Sequence, residues 1–400
     1  MVAPKLRFQE FDGDWESKKL KDLTDILKCG VASTPKYVTE GGYPFLSAQN
    51  ISRNGEMNYS KVNNISDDFY KKISKTKLLK GDILYSRVGA SYGVAAIFDR
   101  EEEYGVYVSL TQIRVNDTLN NIFLKQFLNS PKARIQAEQG VFQGGGVQNL
   151  NVGVVEEFNL TLPSKQEQTK IASFLAAVDE KITQLTQKHQ LLSQYKQGMM
   201  QKLFSQQIRF KADDGSEFAE WESKTLGEII KFVNGKGHEN DVDSDGSYTL
   251  INSKFLSTDG NVAKKVNKCN QKVMNDSLVM VMSDVPNGKA LAKVMYIEDG
   301  SKFALNQRIG MFIFYKDHYP KFFQYQLNRH QYYLAFDSGV GQTNLKKENV
   351  LNCPILVPCI EEQTKIANFL SAIDQKIDVV KEQLEQAKLW KKGLLQQMFI

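Results

Sequence analysis

The chain has 400 residues, of which 42% are hydrophobic and 24% are charged, and these are the proportions of an ordinary soluble protein of two or three domains. Its formal net charge of +5 permits an anionic partner without requiring one, and its four cysteines, none in a CxxC pair, argue against a disulfide framework or a structural zinc site. No apolar run reaches the roughly 18 to 20 residues that span a bilayer, and the first residues do not resemble a secretion signal, so we expect a cytoplasmic protein with no membrane partner.

The sequence contains an internal repeat. QEQTKIASFLAAVDEKI begins at Gln166, and EEQTKIANFLSAIDQKI begins at Glu361, 195 positions later. The tetrapeptide Trp-Glu-Ser-Lys also occurs twice, at Trp15 and at Trp221. Two copies with a period of about 200 residues indicate a duplicated domain rather than a solenoid.

The duplication predicts four consecutive segments related by a pseudo-twofold internal repeat. They are a first globular domain over 1–160, a first long helix over 161–207, a second globular domain over 208–356 and a second long helix over 357–400. The two globular domains differ at most positions, so we expect one shared plan that carries two different surfaces.

The globular domains have the pattern of a mixed α/β (α+β) fold. The segments over 106–115 and 302–314 alternate and are rich in β-forming residues, whereas the segment over 121–140 has a helical pattern. Glycine-rich stretches over 143–150 and 338–345 are predicted to be loops that run toward the long helices.

The repeated segments themselves have the heptad pattern of long amphipathic helices. Their a and d positions form a predicted stripe for helix–helix packing and partner docking, which comprises Ile171, Leu175, Val178, Ile182 and Leu185 in the first helix and Ile366, Leu370, Ile373, Ile377 and Val380 in the second. Each helix of about 38 residues would be roughly 57 Å long and cannot keep such a stripe in water. Since a globular domain separates the copies, we predict an antiparallel coiled coil. Ser164 and Glu167 predict a capping box at the start of the first helix.

Two pairs of equivalent residues interrupt the heptad pattern. Lys196 and Lys391 occupy a positions, where a polar residue fixes register at a cost in stability. Gly198 and Gly393 each cost about 0.5–1 kcal/mol relative to alanine within a helix. The glycines are expected either to mark a close helix crossing or to admit the backbone of a partner.

The sequence lacks the usual motifs of catalysis and cofactor binding. It has no Gly-x-x-x-x-Gly-Lys-[Ser/Thr] phosphate loop, its GGG at 144–146 lacks the GxGxxG spacing, and it has no Pro-Pro dipeptide for an adenine-amino methyltransferase motif. Its four histidines are scattered. We therefore predict no catalytic residue, no metal ligand and no enzymatic activity for the chain alone.

Two runs of lysines are candidates for phosphate contact. The runs comprise Lys71, Lys72, Lys75, Lys77 and Lys80 in the first domain and Lys264, Lys265, Lys268 and Lys272 in the second. Each run contains no acidic residue and falls at a similar place in its domain. Basic clusters neutralise nucleic-acid phosphates by counterion release, although lysine runs are more often solvated surfaces.

Segments in both halves resemble a known family. LPSKQEQTKIASFLAAVDEKITQL at 162–185 and VPCIEEQTKIANFLSAIDQKIDVV at 357–380 resemble the conserved helical regions of specificity subunits of type I restriction-modification systems. KGDILYSRVGASYGVAAI at 80–97 is similar to a strand-and-loop motif of that family's target recognition domains, as are TQIRV at 111–115 and NQRIGMF at 306–312. The resemblance covers the whole chain.

The resemblance implies a protein with no catalytic site and no cofactor of its own. Each target recognition domain would bind one half of an asymmetric, bipartite sequence in double-stranded DNA. The antiparallel helices would set the gap between the halves and dock two modification subunits, which bring S-adenosylmethionine and methylate adenine. Two restriction subunits would add translocation and cleavage, which use ATP and Mg.

Four further residues are candidate DNA contacts. In the first domain Ser86 and Arg87 follow a predicted strand, and arginine is the side chain best suited to guanine. An alternative is a structural pairing of Arg87 with Asp82 or Asp99. The candidates in the second domain, where Arg87 has no clear counterpart, are Lys289 and Arg308.

Three other functions are compatible with the sequence. One is a two-headed coiled-coil scaffold that joins protein partners without DNA readout, and another is an enzyme whose site is not recognised. The third is a specificity protein for a different class of modification enzyme. Salt-dependent DNA binding, turnover by the isolated chain and the identity of the neighbouring gene distinguish these three.

Overall fold

The computed structural model describes residues 3–33, 35–73, 77–140, 149–286 and 288–399. The chain divides into two compact units: unit 1 consists of Met1–Lys188 and Val380–Ile400, and unit 2 consists of His189–Val379. The division falls inside both long helices rather than at their ends. Each long helix therefore contributes one half to each unit.

Unit 1 contains a first head of short strands and helices. Its strands are β1 (Glu16–Lys19), β2 (Thr24–Cys29), β3 (Tyr37–Val38), β4 (Tyr43–Leu46), β5 (Asn63–Ile65), β6 (Ile83–Ser86), β7 (Ala95–Ile97), β8 (Gly105–Val106), β9 (Leu110–Val115) and β10 (Asn159–Leu162). Its helices are α1 (Asp67–Ile73), α2 (Asn121–Leu128), α3 (Pro131–Gln139) and α4 (Val152–Glu156), followed by the first long helix, α5 (Lys165–Phe204). The β-rich segment over 106–115 and the helical segment over 121–140 are confirmed as predicted.

The strands of the first head form two four-stranded sheets and one separate pair. The sheet orders are β2-β9-β6-β7 and β3-β5-β4-β8, and β1 pairs with β10. Helix α2 is capped by Asn120, whose side chain accepts from two backbone N–H groups, and α3 starts at Pro131 behind the cap of Ser130. These caps fix the helix starts, so that Phe123 and Phe127 point into the core.

Unit 2 contains a second head. Its strands are β11 (Glu222–Thr225), β12 (Ile230–Asn234), β13 (Tyr248–Ile251), β14 (Lys264–Val266), β15 (Ser277–Val281), β16 (Ser283–Asp284), β17 (Val294–Ile297), β18 (Phe303–Leu305), β19 (Ile309–Phe314), β20 (Thr343–Asn344) and β21 (Pro354–Val357). Its helices are α6 (Leu226–Ile229), α7 (Ser253–Ser257), α8 (Pro320–Leu327), α9 (Gln331–Leu334) and α10 (Lys347–Leu351), followed by the second long helix, α11 (Ile360–Met398).

The second head repeats the strand plan of the first. Its sheet β12-β19-β15-β17 corresponds to β2-β9-β6-β7, and β14-β13-β18 corresponds to β5-β4-β8. The registers also agree, because β15 pairs Val281 with Ile309 where β6 pairs Ser86 with Leu110. The duplication predicted from the sequence is therefore a duplication of fold.

The predicted apolar stripe of each long helix is buried within its unit. Eight of the ten stripe residues are at most 8% exposed, and Ile182 and Ile377 are half-buried. In unit 1 the stripe packs on the first head and on the end of α11, through Leu394, Leu395 and Met398. Since burial of one Leu or Ile side chain contributes about 1.5–3 kcal/mol, these contacts hold each head to both helices.

The two long helices run in opposite directions. Helix α5 passes from unit 1 into unit 2, whereas α11 passes from unit 2 into unit 1. Within unit 1 the Asp179 carboxylate contacts the Lys391 ammonium group, and within unit 2 Lys196 Nζ lies 2.5 Å from Asp374 Oδ1. The lysines at the two a positions thus meet aspartates on the other helix.

The Asp179 carboxylate remains charged because of these partners. Burial alone would raise its pKa, but Lys391 and Lys125 outweigh burial and lower the pKa below its ordinary value. A carboxylate whose pKa is lowered by folding adds stability at neutral pH, and that stability is lost as the pH falls through the folded-state value.

The first turn of each long helix contains a buried glutamate that binds an arginine from the segment ahead of its head. Arg7 Nε and Nη2 each lie 2.8 Å from a Glu167 oxygen, and Arg209 Nε and Nη2 lie 3.1 and 2.8 Å from Glu362. Trp221 Nε1 also donates to Glu362 at 2.9 Å. The carboxylates are 1% and 0% exposed, so these two-pronged contacts are the charge-assisted bonds that make their burial possible.

Two predictions about the long helices are corrected here. Ser164 Oγ accepts from the Glu167 N–H at 3.3 Å as the capping box requires, but the Glu167 carboxylate turns to Arg7 instead of the helix start. Gly198 and Gly393 mark no close helix crossing, because a Cβ added at either would meet no atom within 4 Å among the described residues. Their second predicted role, to admit a partner, stays open.

The segments ahead of the two heads attach to helix ends in the same way. In unit 2 the chain runs directly from the end of α5 into the segment ahead of the second head, and the Ile208 N–H donates to the Lys202 carbonyl at 3.3 Å. In unit 1 the Leu6 N–H donates at 3.0 Å to the carbonyl of Gln397, the residue 195 positions after Lys202. In unit 2 the end of α5 is therefore connected covalently to the segment ahead of the second head. In unit 1 a hydrogen bond makes the equivalent connection, between the end of α11 and the segment ahead of the first head.

We expect Arg7→Ala to lower the free energy of unfolding by about 3 kcal/mol, because the buried Glu167 carboxylate would lose its charged partner. Arg7→Lys should cost less, since one donor remains. Urea denaturation followed by far-UV circular dichroism measures both, with Arg53→Ala, an exposed arginine of the same head, as the control. A loss for Arg7→Ala no larger than for the control would contradict a buried clamp.

Candidate nucleic-acid interface

The end of strand β6 carries the two candidate DNA contacts predicted in the first head, and both have interior roles. Ser86 is 0% exposed, and its hydroxyl lies 3.0 Å from Ser91 Oγ. Arg87 is 8% exposed, and it donates from Nε to the Leu150 carbonyl at 2.6 Å and from Nη1 to the Val108 carbonyl at 2.9 Å. These two side chains do not face solvent, since the backbone carbonyls of Val108 and Leu150 bind Arg87 and the hydroxyl of Ser86 is turned toward Ser91. Their contact with DNA stays a prediction.

The structural role predicted as the alternative for Arg87 is confirmed, but its partners are backbone carbonyls and not Asp82 or Asp99. Asp82 is bound by Arg114, whose Nε and Nη2 each lie 2.7 Å from its carboxylate, and by Gln112 at 2.8 Å. Asp99 accepts from the Tyr59 hydroxyl at 2.5 Å. Arg87 instead connects the end of β6 to the backbone at Val108 and at Leu150.

The second head has a different residue at each equivalent place. The Arg87 N–H donates to the Ser109 carbonyl, and the Arg87 carbonyl accepts from Leu150. In the second head the Met282 N–H donates to the Arg308 carbonyl, and the Met282 carbonyl accepts from the leucine that lies 195 positions after Leu150. Met282 is therefore the counterpart of Arg87 that the sequence did not reveal, and Arg308 replaces Ser109.

Arg308 and Lys289, the candidates in the second head, are both exposed. Arg308 has a φ of 68°, a left-handed conformation that arginine rarely adopts and that turns the chain sharply before β19. Lys289 lies in a loop that is closed by Asp284, whose carboxylate accepts from the N–H groups of Ala290 and Leu291 at 2.7 and 3.0 Å. Both cations are thus exposed in loops of the second head.

A further cation near this loop was missed by sequence reasoning. Arg329 Nη1 lies 3.5 and 3.4 Å from the carbonyls of Gly288 and Leu291, which places its guanidinium beside Lys289. Nothing in the local sequence signals this position, because 38 residues separate Arg329 from Leu291.

Two lysines of the first run are matched by the acidic loop that follows β7. Lys77 forms an ion pair with Glu103, and Lys80 Nζ lies 2.9 Å from Glu101. Lys71 and Lys72 are exposed on α1. Lys75 lies outside the described residues. The charge of this run is therefore reduced at Lys77 and Lys80.

The second lysine run carries less compensating charge. Lys264 and Lys265 are exposed on β14, an edge strand, at the positions that Asn63 and Asn64 occupy on β5. Within the described part of the chain neither lysine has a carboxylate within 4 Å. The neighbouring Asp243 is bound by Asn267 at 2.6 Å. The second head therefore presents more unpaired positive charge on this sheet than the first.

The outer faces of the long helices carry exposed aromatic residues that the heptad pattern did not single out. Trp390 on α11 is 54% exposed, and Tyr195, the equivalent residue on α5, is 52% exposed. The Trp390 ring meets the edge of Phe174 at a centroid distance of 6.0 Å. The stripe predicted for partner docking is buried inside the chain, so these residues, rather than the stripe, are accessible to another protein.

Groupings typical of metal or membrane proteins are not found in the described ranges. No three His, Cys, Asp or Glu side chains there are arranged to hold a metal ion, and no helix there is long and apolar enough to cross a bilayer. All four cysteines are free thiols, and Cys353 is buried.

The chain has two heads with the same strand plan. Each head packs on parts of two antiparallel helices, and each has its own set of exposed cations. These features define a duplicated recognition protein. The family described as the type I restriction modification DNA specificity domain matches residues 12–194 and again residues 219–389. The chain belongs to this family and is a type I specificity subunit with two target recognition domains.

Similar proteins agree with this assignment. The putative type I restriction enzyme MjaX specificity subunit of Methanocaldococcus jannaschii is 24% identical and aligns over 98% of this chain and 94% of its own length. The MjaVIII specificity subunit of the same organism is 26% identical over 97% of this chain and 94% of its own length. The crystal structure of the S subunit from M. genitalium has a TM-score of 0.65 at 20% identity, over 100% of this chain and 99% of that one, and shows the same fold.

We expect Arg87→Met, which introduces the residue found at the equivalent place in the second head, to lower the free energy of unfolding by about 1–3 kcal/mol, because one buried and one part-buried carbonyl lose a donor. Arg308→Met should change it by no more than about 0.5 kcal/mol, since Arg308 is exposed. Urea denaturation of the two variants compares them directly. The assignment of Arg87 to the interior would be wrong if the two variants were equally stable.

Proposed function

We propose that each head binds one half of an asymmetric, bipartite sequence in double-stranded DNA. The observation that carries this proposal is one strand plan with different side chains at equivalent places. Arg308 lies where the first head has Ser109, and Lys264 lies where it has Asn63. Because base sequence is recognised through the side chains that reach the groove, two such surfaces suit two different half-sites.

The long helices are proposed to set the gap between the half-sites. Helix α5 has 40 residues and α11 has 39, so each is about 60 Å long at 1.5 Å per residue. A continuous helix does not change its length, and the DNA duplex rises about 3.4 Å per base pair. A fixed helix pair therefore corresponds to a fixed number of unread base pairs.

The chemistry in this proposal belongs to partner subunits. Two modification subunits would bring S-adenosylmethionine and methylate adenine, and two restriction subunits would use ATP and Mg for translocation and cleavage. This chain would supply no catalytic group and bind no cofactor, as befits a family whose relatives are named for specificity. The complex would act in the cytoplasm, where the DNA is.

We further propose that the modification subunits dock on the outer helix faces. Tyr195 and Gly198 are three residues apart on α5, and Trp390 and Gly393 have the same spacing on α11, so each aromatic residue shares a face with a glycine. The space beside each glycine is open within the described chain. Two equivalent patches with room for an approaching backbone suit two copies of one partner.

The test of the function is a base-resolution methylome of a methylation-free host that expresses this chain with its neighbouring modification subunit. A control strain expresses the modification subunit alone. A split, asymmetric adenine-methylation motif with one fixed gap, present only with this chain, is the expected result. If the two proteins form a soluble complex and no motif appears, the chain acts instead as a scaffold without DNA readout.

We expect the double variant Lys264→Ala/Lys265→Ala to reduce the slope of log K against log salt by about 2, because about one counterion is released per phosphate contact. The matched control is Lys77→Ala/Lys80→Ala, whose ammonium groups already have glutamate partners, and its slope should change less. Fluorescence anisotropy of the subunit complex with target DNA, titrated with salt, measures both. Equal changes would exclude a special role for the second run.

We expect Trp390→Ala and Tyr195→Ala each to weaken the binding of one modification subunit by about 30-fold, the loss typical of an aromatic residue at the centre of an interface. Mass photometry at decreasing concentration counts the bound copies. Leu191→Ala, at a 65% exposed position of α5 whose equivalent on α11 is a glutamine, is the control. Full occupancy by both copies in either aromatic variant would place docking elsewhere.

A further inference from the structure

Each long helix carries one aspartate and one lysine at equivalent places along its length. Asp179 and Lys196 lie on α5, and Asp374 and Lys391 lie 195 residues later on α11. Asp179 pairs with Lys391 inside unit 1, and Asp374 pairs with Lys196 inside unit 2. The protein therefore makes one interhelical contact twice.

Both aspartates also bind the head of their own unit. On α2, Gln126 Nε2 donates to Asp179 at 2.7 Å, and Lys125 Nζ lies 3.5 Å from the same carboxylate. On α8, the Tyr325 hydroxyl donates to Asp374 at 2.8 Å. One carboxylate in each unit thus connects three elements, which are the two long helices and the head helix that packs on them.

The order of the charges permits a single alignment of the helices. If the helices ran parallel with equivalent residues facing each other, Asp179 would face Asp374 and Lys196 would face Lys391, and like charges repel. If they stayed antiparallel but slipped by one heptad, Asp179 would face a leucine or a methionine of α11. Both faults leave half-buried charges unpaired, which costs more than the pairs themselves contribute.

We propose that Asp179 and Asp374 are positioning residues that hold each head at one place on the helix pair and so restrict the gap between the two half-sites to one length. This inference rests on the proposed function. A slip of one heptad moves a helix by about 10 Å, or roughly three base pairs, and a displacement of a head by only about 3–4 Å corresponds to one base pair. Even a small displacement of a head, of the kind that follows loss of the carboxylate contact, is therefore enough to change which gap lengths are accepted.

The experiment measures methylation at half-sites separated by the native gap and by gaps one base pair longer or shorter. Asp179→Ala and Asp374→Ala, each expressed with the same modification subunit, should raise the ratio of off-gap to native-gap methylation by about tenfold, the change that follows loss of a charge-assisted contact. Asp179→Asn and Asp374→Asn keep the side-chain shape and a hydrogen bond to the head, and should raise the ratio less.

Two further variants separate register from general stability. The exchange Lys196→Asp/Asp374→Lys restores opposite charges in unit 2 and should return the ratio to within about twofold of the natural protein. Glu385→Ala removes an ion pair with Lys388 that lies entirely on α11, and should leave the ratio unchanged. Circular dichroism confirms that each variant is folded before its methylome is scored.

Two results would overturn the inference. One is methylation that falls at the native gap without appearing at neighbouring gaps, because the aspartates would then support folding and nothing more. The other is a ratio in the alanine variants equal to that of the natural protein. Failure of the natural protein to give any split motif is a different result, which overturns the proposed function and removes the gap that these residues would set.

Discussion

A helix of about forty residues with one apolar stripe cannot remain alone in water, and the rest of this architecture depends on how the two stripes are covered. Residues such as Leu175 and Leu370 are 0% exposed. They are covered by a head on one side and by the other helix on the other. Because each helix serves both units, the core of each head includes residues of both long helices.

The duplication has kept the ionic contacts of the long helices and varied the side chains of the heads. The clamps of Arg7 on Glu167 and of Arg209 on Glu362 recur, as does the pairing of an aspartate on one long helix with a lysine on the other. A buried carboxylate needs its cation, so a change to one partner alone is strongly unfavourable. An exposed position carries no such penalty, and this freedom allows Arg308 and Lys264 to differ from their counterparts in the first head.

The sequence predicts the features that depend on local periodicity. It does not predict contacts between residues that are far apart along the chain. Heptads located both long helices, and strand alternation located the segments that became β9 and β19, because those signals are local. The burial of Arg87 depends on Leu150, 63 positions away, and the clamp of Arg7 depends on a residue 160 positions away. An arginine after a strand has the same local sequence whether it faces solvent or backbone carbonyls.

The same limit applies to the candidate interface. The first lysine run has no acid within it, and its charge is reduced by Glu101 and Glu103 from a separate segment. The glycines of the long helices were expected to mark a crossing, but helix sequence does not show which face a second helix covers. One local signal does mark the two clamps, since Arg-Phe at 7–8 and again at 209–210 precedes each Trp-Glu-Ser-Lys.

The composition of the units also sets an order of events during synthesis. Unit 2 is a continuous stretch, His189–Val379, whereas unit 1 needs Val380–Ile400 to complete a core that begins near the first residue. The first head is made early but waits for Leu394, Leu395 and Met398, which are synthesised only after the whole of the second head. At about 5–20 residues per second this wait is roughly 10–40 s. During this interval the first head leaves apolar surface exposed, whereas the second head can already complete its core.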